Sequence, residues 1–132
     1  MKRIFIFYYA EADNLHGNMD KYMRLKREAM RAEQDKKCEI KVVAAQLALS
    51  VDIDKDDVVM FVCDNAKQAE SFLKACITEL IKKIPANLVG LFLDDAIDIN
   101  DNDCLQLTSF DPISMCAAAI TNLNLNAQQV AS

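Results

Sequence analysis

Apolar runs of strand length recur along this chain, and amphipathic stretches separate them. The first run, at residues 3–9, is apolar or aromatic without a break from Ile4 through Tyr9. A strand with one wet face alternates with period two, so unbroken apolarity predicts a strand covered on both faces. The same reasoning places strands at 39–45, 58–63 and 88–93. A shorter one is expected at the sheet edge, at 104–108. Between them lie helical periods. The clearest follows Asp64 or Asn65 as cap, with Phe72, Leu73, Cys76, Ile77, Leu80, Ile81 and Ile84 on one stripe. Lys82 and Lys83 suit its negative end, and Pro85 stops it.

Two further helices are predicted. Asn18 or Asp20 caps a long one over about 19–36, and Met19, Tyr22, Met23 and Met30 share a stripe that leaves Leu25 off it. The last opens at Asp111-Pro112, with Asp as N-cap and Pro at the first helical position. Its buried face is Met115, Cys116, Ala119, Ile120 and Leu123. A short helix is expected to follow the second strand, through Leu49. Residues 11–17, 51–57 and 95–103 read as loops.

The order β-α-β-(α)-β-α-β-β-α predicts a parallel sheet of about five strands with helices on both faces. That is a three-layer sandwich of the flavodoxin-like kind, with strand order 2-1-3-4-5. One domain is expected over 1–132, its tail frayed from about residue 124. Ligands of such folds bind beyond the strand C-termini, at the switch point between strands one and three.

Bulk properties agree. The chain has 132 residues, 52% hydrophobic and 27% charged, with two Gly and two Pro, an ordinary globular profile. No apolar run approaches the roughly 20 residues of a spanning helix, so no membrane is expected. The run after Met1-Lys2-Arg3 is too short for a signal peptide, and acids follow at Glu11 and Asp13, so the expected location is the cytoplasm. The five cysteines form no CxxC and have apolar neighbours, so they are read as small core residues.

Charge changes the picture. No Lys or Arg occurs after Lys83, and the residues from Ile84 on carry six acids, for a net −6. The residues up to Lys83 hold all 15 bases and 14 acids, for +1. Such an acidic pole disfavours nucleic acid and anionic membranes, and it permits cation binding or docking to a basic partner. The long first helix is locally basic. Arg24, Arg27 and Arg31 are its candidate partner-binding residues, for an acidic protein or for the acidic pole of another copy.

Candidate chemistry gathers at the expected ligand edge. Asp13 follows the first strand, Asp64 the third and Asp94 the fourth, with His16 nearby as a possible general base. Carboxylates so placed suit a divalent cation, Mg²⁺ or Mn²⁺, that activates water. Asp52–Asp56 and Asp98–Asn102 carry calcium-loop-like alternate acids, but neither has Gly at the sixth position nor Glu at the twelfth. With Gly17 and Gly90 as the only glycines, no glycine-rich phosphate cradle can form.

The layout and Thr108-Ser109-Phe110-Asp111-Pro112 resemble a response-regulator receiver domain, in which Asp64 would take the phospho-acceptor position. The chain departs from that pattern: Thr108 replaces the receiver lysine, and Tyr8-Tyr9 replace the acid pair. The run Ile4–Tyr9 resembles the first strand of a TIR domain. Asp13-Asn14-Leu15-His16-Gly17 is similar to the first loop of NYN-type nucleases, which would make Asp13 the catalytic acid beside Asp64 and Asp94. The leading expectation is a non-catalytic regulatory or protein-interaction domain. The alternatives are a small metal-dependent hydrolase or nuclease and a degenerate receiver-like signalling domain.

Overall fold

A computed structural model describes residues 2–9, 15–34, 38–54, 56–83, 88–98 and 106–120. In chain order the elements are β1 (Lys2–Tyr9), α1 (Leu15–Gln34), β2 (Cys38–Ala44), a 3-10 helix (Ala45–Ser50), β3 (Val58–Cys63), α2 (Glu70–Lys83), β4 (Leu88–Leu93) and β5 (Gln106–Thr108). Residues 112–120 are helical and form α3. The five strands make one sheet in the order β2-β1-β3-β4-β5, and every pairing is parallel. This is the expected flavodoxin-like arrangement.

Alternation along the strands divides the core into two layers. Phe5 and Phe7 of β1, Val59, Phe61 and Cys63 of β3, and Leu91 and Leu93 of β4 face α2 and the 3-10 helix. Ile4, Ile6, Tyr8, Val58, Met60, Val62 and Phe92 face the other way, against α1 and α3. Both sides are dry, which is why these strands read as unbroken apolar runs. Phe7 lies opposite Phe61 in the β1–β3 register, and their rings meet tilted at 5.3 Å. Each large apolar side chain so enclosed contributes about 1.5–3 kcal/mol.

The strip of α1 that packs is not the predicted one. Leu25 is fully buried, with Ala29 beside it and Tyr22 packed at the margin. Met19, Met23 and Met30 are 59%, 47% and 62% exposed. The predicted stripe left Leu25 out, yet Leu25 and Ala29, at i and i+4, also share a face. Packing chose the set with a small residue, Ala29, where helix and sheet approach. The Tyr22 hydroxyl then donates to the Val42 carbonyl at 3.1 Å and ties α1 to β2. The helix also begins earlier than expected, so His16 lies in its first turn rather than in a loop.

The other elements follow their sequence signals. In α2, Leu73, Cys76, Ile77 and Leu80 are buried, and the Asn65 carbonyl accepts from the Gln68 and Ala69 amides at 3.1 Å. At α3, Asp111 Oδ1 accepts the Ser114 amide at 3.3 Å, the N-cap geometry expected of Asp-Pro. Cys63, Cys76 and Cys116 are buried thiols, as their apolar neighbours implied. Burial pushes the Cys76 thiol up to about 11 and that of Cys116 to about 12, so neither acts as a nucleophile near neutral pH. The tail from residue 124 lies outside the described residues. No described helix is long and apolar enough to cross a membrane.

Candidate functional site

The parallel sheet sets its strand C-termini along one edge. There β1 ends at Tyr8-Tyr9, β3 at Cys63 followed by Asp64, β4 at Leu93 followed by Asp94, and β5 at Thr108 followed by Ser109. Main-chain bonds bind these ends together. The Asp94 amide donates to the Cys63 carbonyl at 3.2 Å, and the Ser109 amide donates to the Leu93 carbonyl at 2.9 Å.

Two of the acids on this edge, Asp64 and Asp94, already have partners. Asp64 is ion-paired with Lys21, which reaches it from α1. The receiver resemblance would bring a lysine from the end of β5, where Thr108 is found. Asp94 Oδ1 accepts the Ala66 amide at 2.8 Å and so shapes the turn that leads into α2. The Cys63 thiol donates to Asn65 Oδ1 at 3.0 Å. Asp13 lies outside the described residues. His16 falls within α1, and its side chain is outside the described set. Among the described residues, no group of three or more His, Cys, Asp or Glu side chains is placed to hold a metal ion.

Of the two calcium-loop-like segments, the first is drawn into the opposite end of the sheet. Arg3 donates to Asp57 Oδ1 at 3.0 Å and to Oδ2 at 2.6 Å, and it pairs with Asp54 at 3.3 Å. The second segment lies partly outside the described residues.

Beside Asp64, the Tyr8 hydroxyl is buried and has no hydrogen-bond partner among the described residues. Burial, with the neighbouring Asp64 charge, pushes this phenol above its ordinary value. A second cluster lies between α1 and α3. Arg24 pairs with Asp111 at 3.4 Å and donates to the Ser114 hydroxyl, which itself donates to Asp111 at 2.7 Å. Those bonds, the Ser114 hydroxyl first, hold the Asp111 carboxyl below its usual range. Arg24 is thus paired within the chain, although both it and Asp111 stay close to half exposed. Arg27 is exposed, and Arg31 pairs weakly with Glu28 at 3.6 Å.

A groove opens elsewhere on the described surface, where α1 meets β2. Lys26, Ala29 and Met30 of α1 and residues 40–43 of β2 line a groove of about 370 Å³. Spacing alone did not reveal it, because the reading that buried the methionines left no groove to see. The available signal was the coexistence of two apolar stripes on α1, one too many for a single packed face.

Fold and edge define the class: a parallel α/β sandwich of flavodoxin-like topology. No family model matches the chain, and neither a curated protein nor a solved structure is significantly similar to it.

Proposed function

We propose that this domain works by binding another protein along its α1–β2 edge. The observation that carries the reading is the outward methionine stripe of α1. Met19, Met23 and Met30 recur at i, i+4 and i+11, so they lie on one side of the helix, and all are largely exposed. Met30 belongs to the groove wall. Methionine is flexible and polarizable, which suits surfaces that adapt to an apolar partner.

The rim supplies charge. Lys26 and Lys41 border the groove, and Arg27 is exposed on the same helix. Lys41 pairs with Glu39 at 3.3 Å, but both are about half exposed, so that pair is weak and easily exchanged. An apolar floor with a lysine rim favours an acidic amphipathic segment. The carboxylates at the sheet's C-terminal edge support this reading from the other side, because Asp64 and Asp94 already have structural work.

The test is an NMR titration of the labelled domain with an acidic amphipathic helical peptide. Shifts centred on Met30 and Val42 are expected, and Lys26→Glu with Lys41→Glu should weaken them at least roughly tenfold. Shifts absent from this edge, or indifferent to the charge reversal, would overturn the reading.

A further inference from the structure

The chain carries its own complement to this groove on the opposite edge of the sheet. Phe110 follows β5 and is 99% exposed, an aromatic ring almost wholly in water. Leu107 of β5 is partly exposed close by in sequence. Asp94, Asp95 and Asp98 are exposed on the loop after β4, which pairs with β5. Their own stretch of sequence, beyond Lys83, holds no base, and Arg24 reaches only Asp111, beside Phe110, from α1 among the described ion pairs of that stretch. The β5 edge is thus an apolar knob with an acidic rim. The β2 edge is a groove with Met30 in its wall and a lysine rim.

The strand order holds these two surfaces apart within one molecule. β2 and β5 are the outermost strands of the sheet, with β1, β3 and β4 between them. Phe110 of one chain therefore has no route to the groove of the same chain. We propose that a second copy of this chain fills the groove, placing Phe110 against Met30, Ile40 and Val42, with Asp94 and Asp95 facing Lys26 and Lys41. The proposal rests on the α1–β2 edge being a docking surface, and it names the occupant.

Two unlike patches in contact make a heterologous interface. Each copy that docks its knob leaves its own groove open, so association continues until a ring closes or a filament grows. The attraction is partly between exposed charges, so salt weakens it. A large exposed aromatic entering an apolar groove is the usual anchor of such a contact.

The test is sedimentation velocity on the full chain across a concentration series at low and at high salt. Species beyond a dimer are expected at low salt. Phe110→Ala should weaken association roughly thirtyfold, as loss of an anchor residue does. The exposed ring has no folding role, so that variant should keep its circular dichroism and melting temperature. The paired Lys26→Glu and Lys41→Glu variant should be monomeric too. The decisive step is to mix them: Phe110→Ala keeps its groove, and the lysine variant keeps its knob. The mixture should form a 1:1 heterodimer and stop there.

Wild-type chain that stays monomeric throughout, or a mixture that forms no heterodimer, would overturn the proposal. If the acidic peptide still binds the groove in that case, only the self-docking is lost and the partner is another acidic protein. If the peptide fails as well, the docking surface itself falls.

Discussion

Arg3 clasps Asp57 across the N-terminal end of the sheet, Nε to Oδ1 at 3.0 Å and Nη2 to Oδ2 at 2.6 Å. Asp57 is only 5% exposed, and its Oδ2 also accepts the Asp54 amide at 2.8 Å. One carboxylate thus orders the loop entering β3 and fastens it to β1. Asp57→Asn keeps the shape but loses the charge, and roughly 2 kcal/mol of stability should go with it. Urea denaturation at neutral pH measures this.

The same pair makes the protein acid-sensitive. The Arg3 hydrogen bonds hold the Asp57 carboxyl below its ordinary value, against the opposing effect of burial. A carboxyl depressed in the folded state stabilises above its unfolded value, near 3.9, and that contribution fades as pH falls through the folded one. Melting temperature should therefore fall more steeply below about pH 4 in the wild type than in Asp57→Asn. Parallel acid limbs would show that the charge carries no weight.

Asp111 caps α3. Its Oδ1 takes the Ser114 amide and its Oδ2 the Ser114 hydroxyl, with Pro112 at the first helical position. Asp111→Ala should cost about 1 kcal/mol, and Asp111→Ser distinctly less, because serine can still cap. Equal losses in thermal unfolding would point to the Arg24 contact instead of the cap.

Tyr8→Phe removes a buried hydroxyl for which the described residues offer no partner. Deleting such a group should leave stability unchanged or raise it slightly, since an uncompensated desolvation cost goes with it. A loss above about 1 kcal/mol in denaturant unfolding would show that the hydroxyl is bonded in solution.

Metal addition discriminates the hydrolase alternative. Asp64 is neutralised by Lys21, and Asp94 serves the Ala66 amide. Chelator-treated protein should melt at the same temperature with or without millimolar Mg²⁺ or Mn²⁺. An ion present at about 100 times its Kd would add roughly 2.7 kcal/mol, a shift that is easily seen. A rise abolished by Asp64→Asn would favour metal-dependent chemistry on this edge.

Much of this fold is legible in the residues themselves. Ile4 to Tyr9 and Val58 to Cys63 are apolar at every position, and a strand of that kind needs cover on both faces, which the alternating amphipathic helices of an α/β sheet provide. Asp111-Pro112 announces the start of α3 through chemistry confined to four residues. These are local signals, set by backbone geometry and by the two-residue and 3.6-residue periods.

Tertiary structure decided what depends on distance through space. Periodicity showed that α1 has an apolar stripe, but it left two to choose from. Only the approach of α1 to the sheet buried Leu25 and Ala29 and turned Met19, Met23 and Met30 to solvent. The partners of the acids were equally hidden. Lys21 meets Asp64 across 43 positions, Arg3 meets Asp57 across 54, and Arg24 meets Asp111 across 87. A chain of charges does not say which pairs will meet. That is fixed once the strand order 2-1-3-4-5 has set each helix over its own part of the sheet, and it decides which acids are occupied and which surfaces stay open.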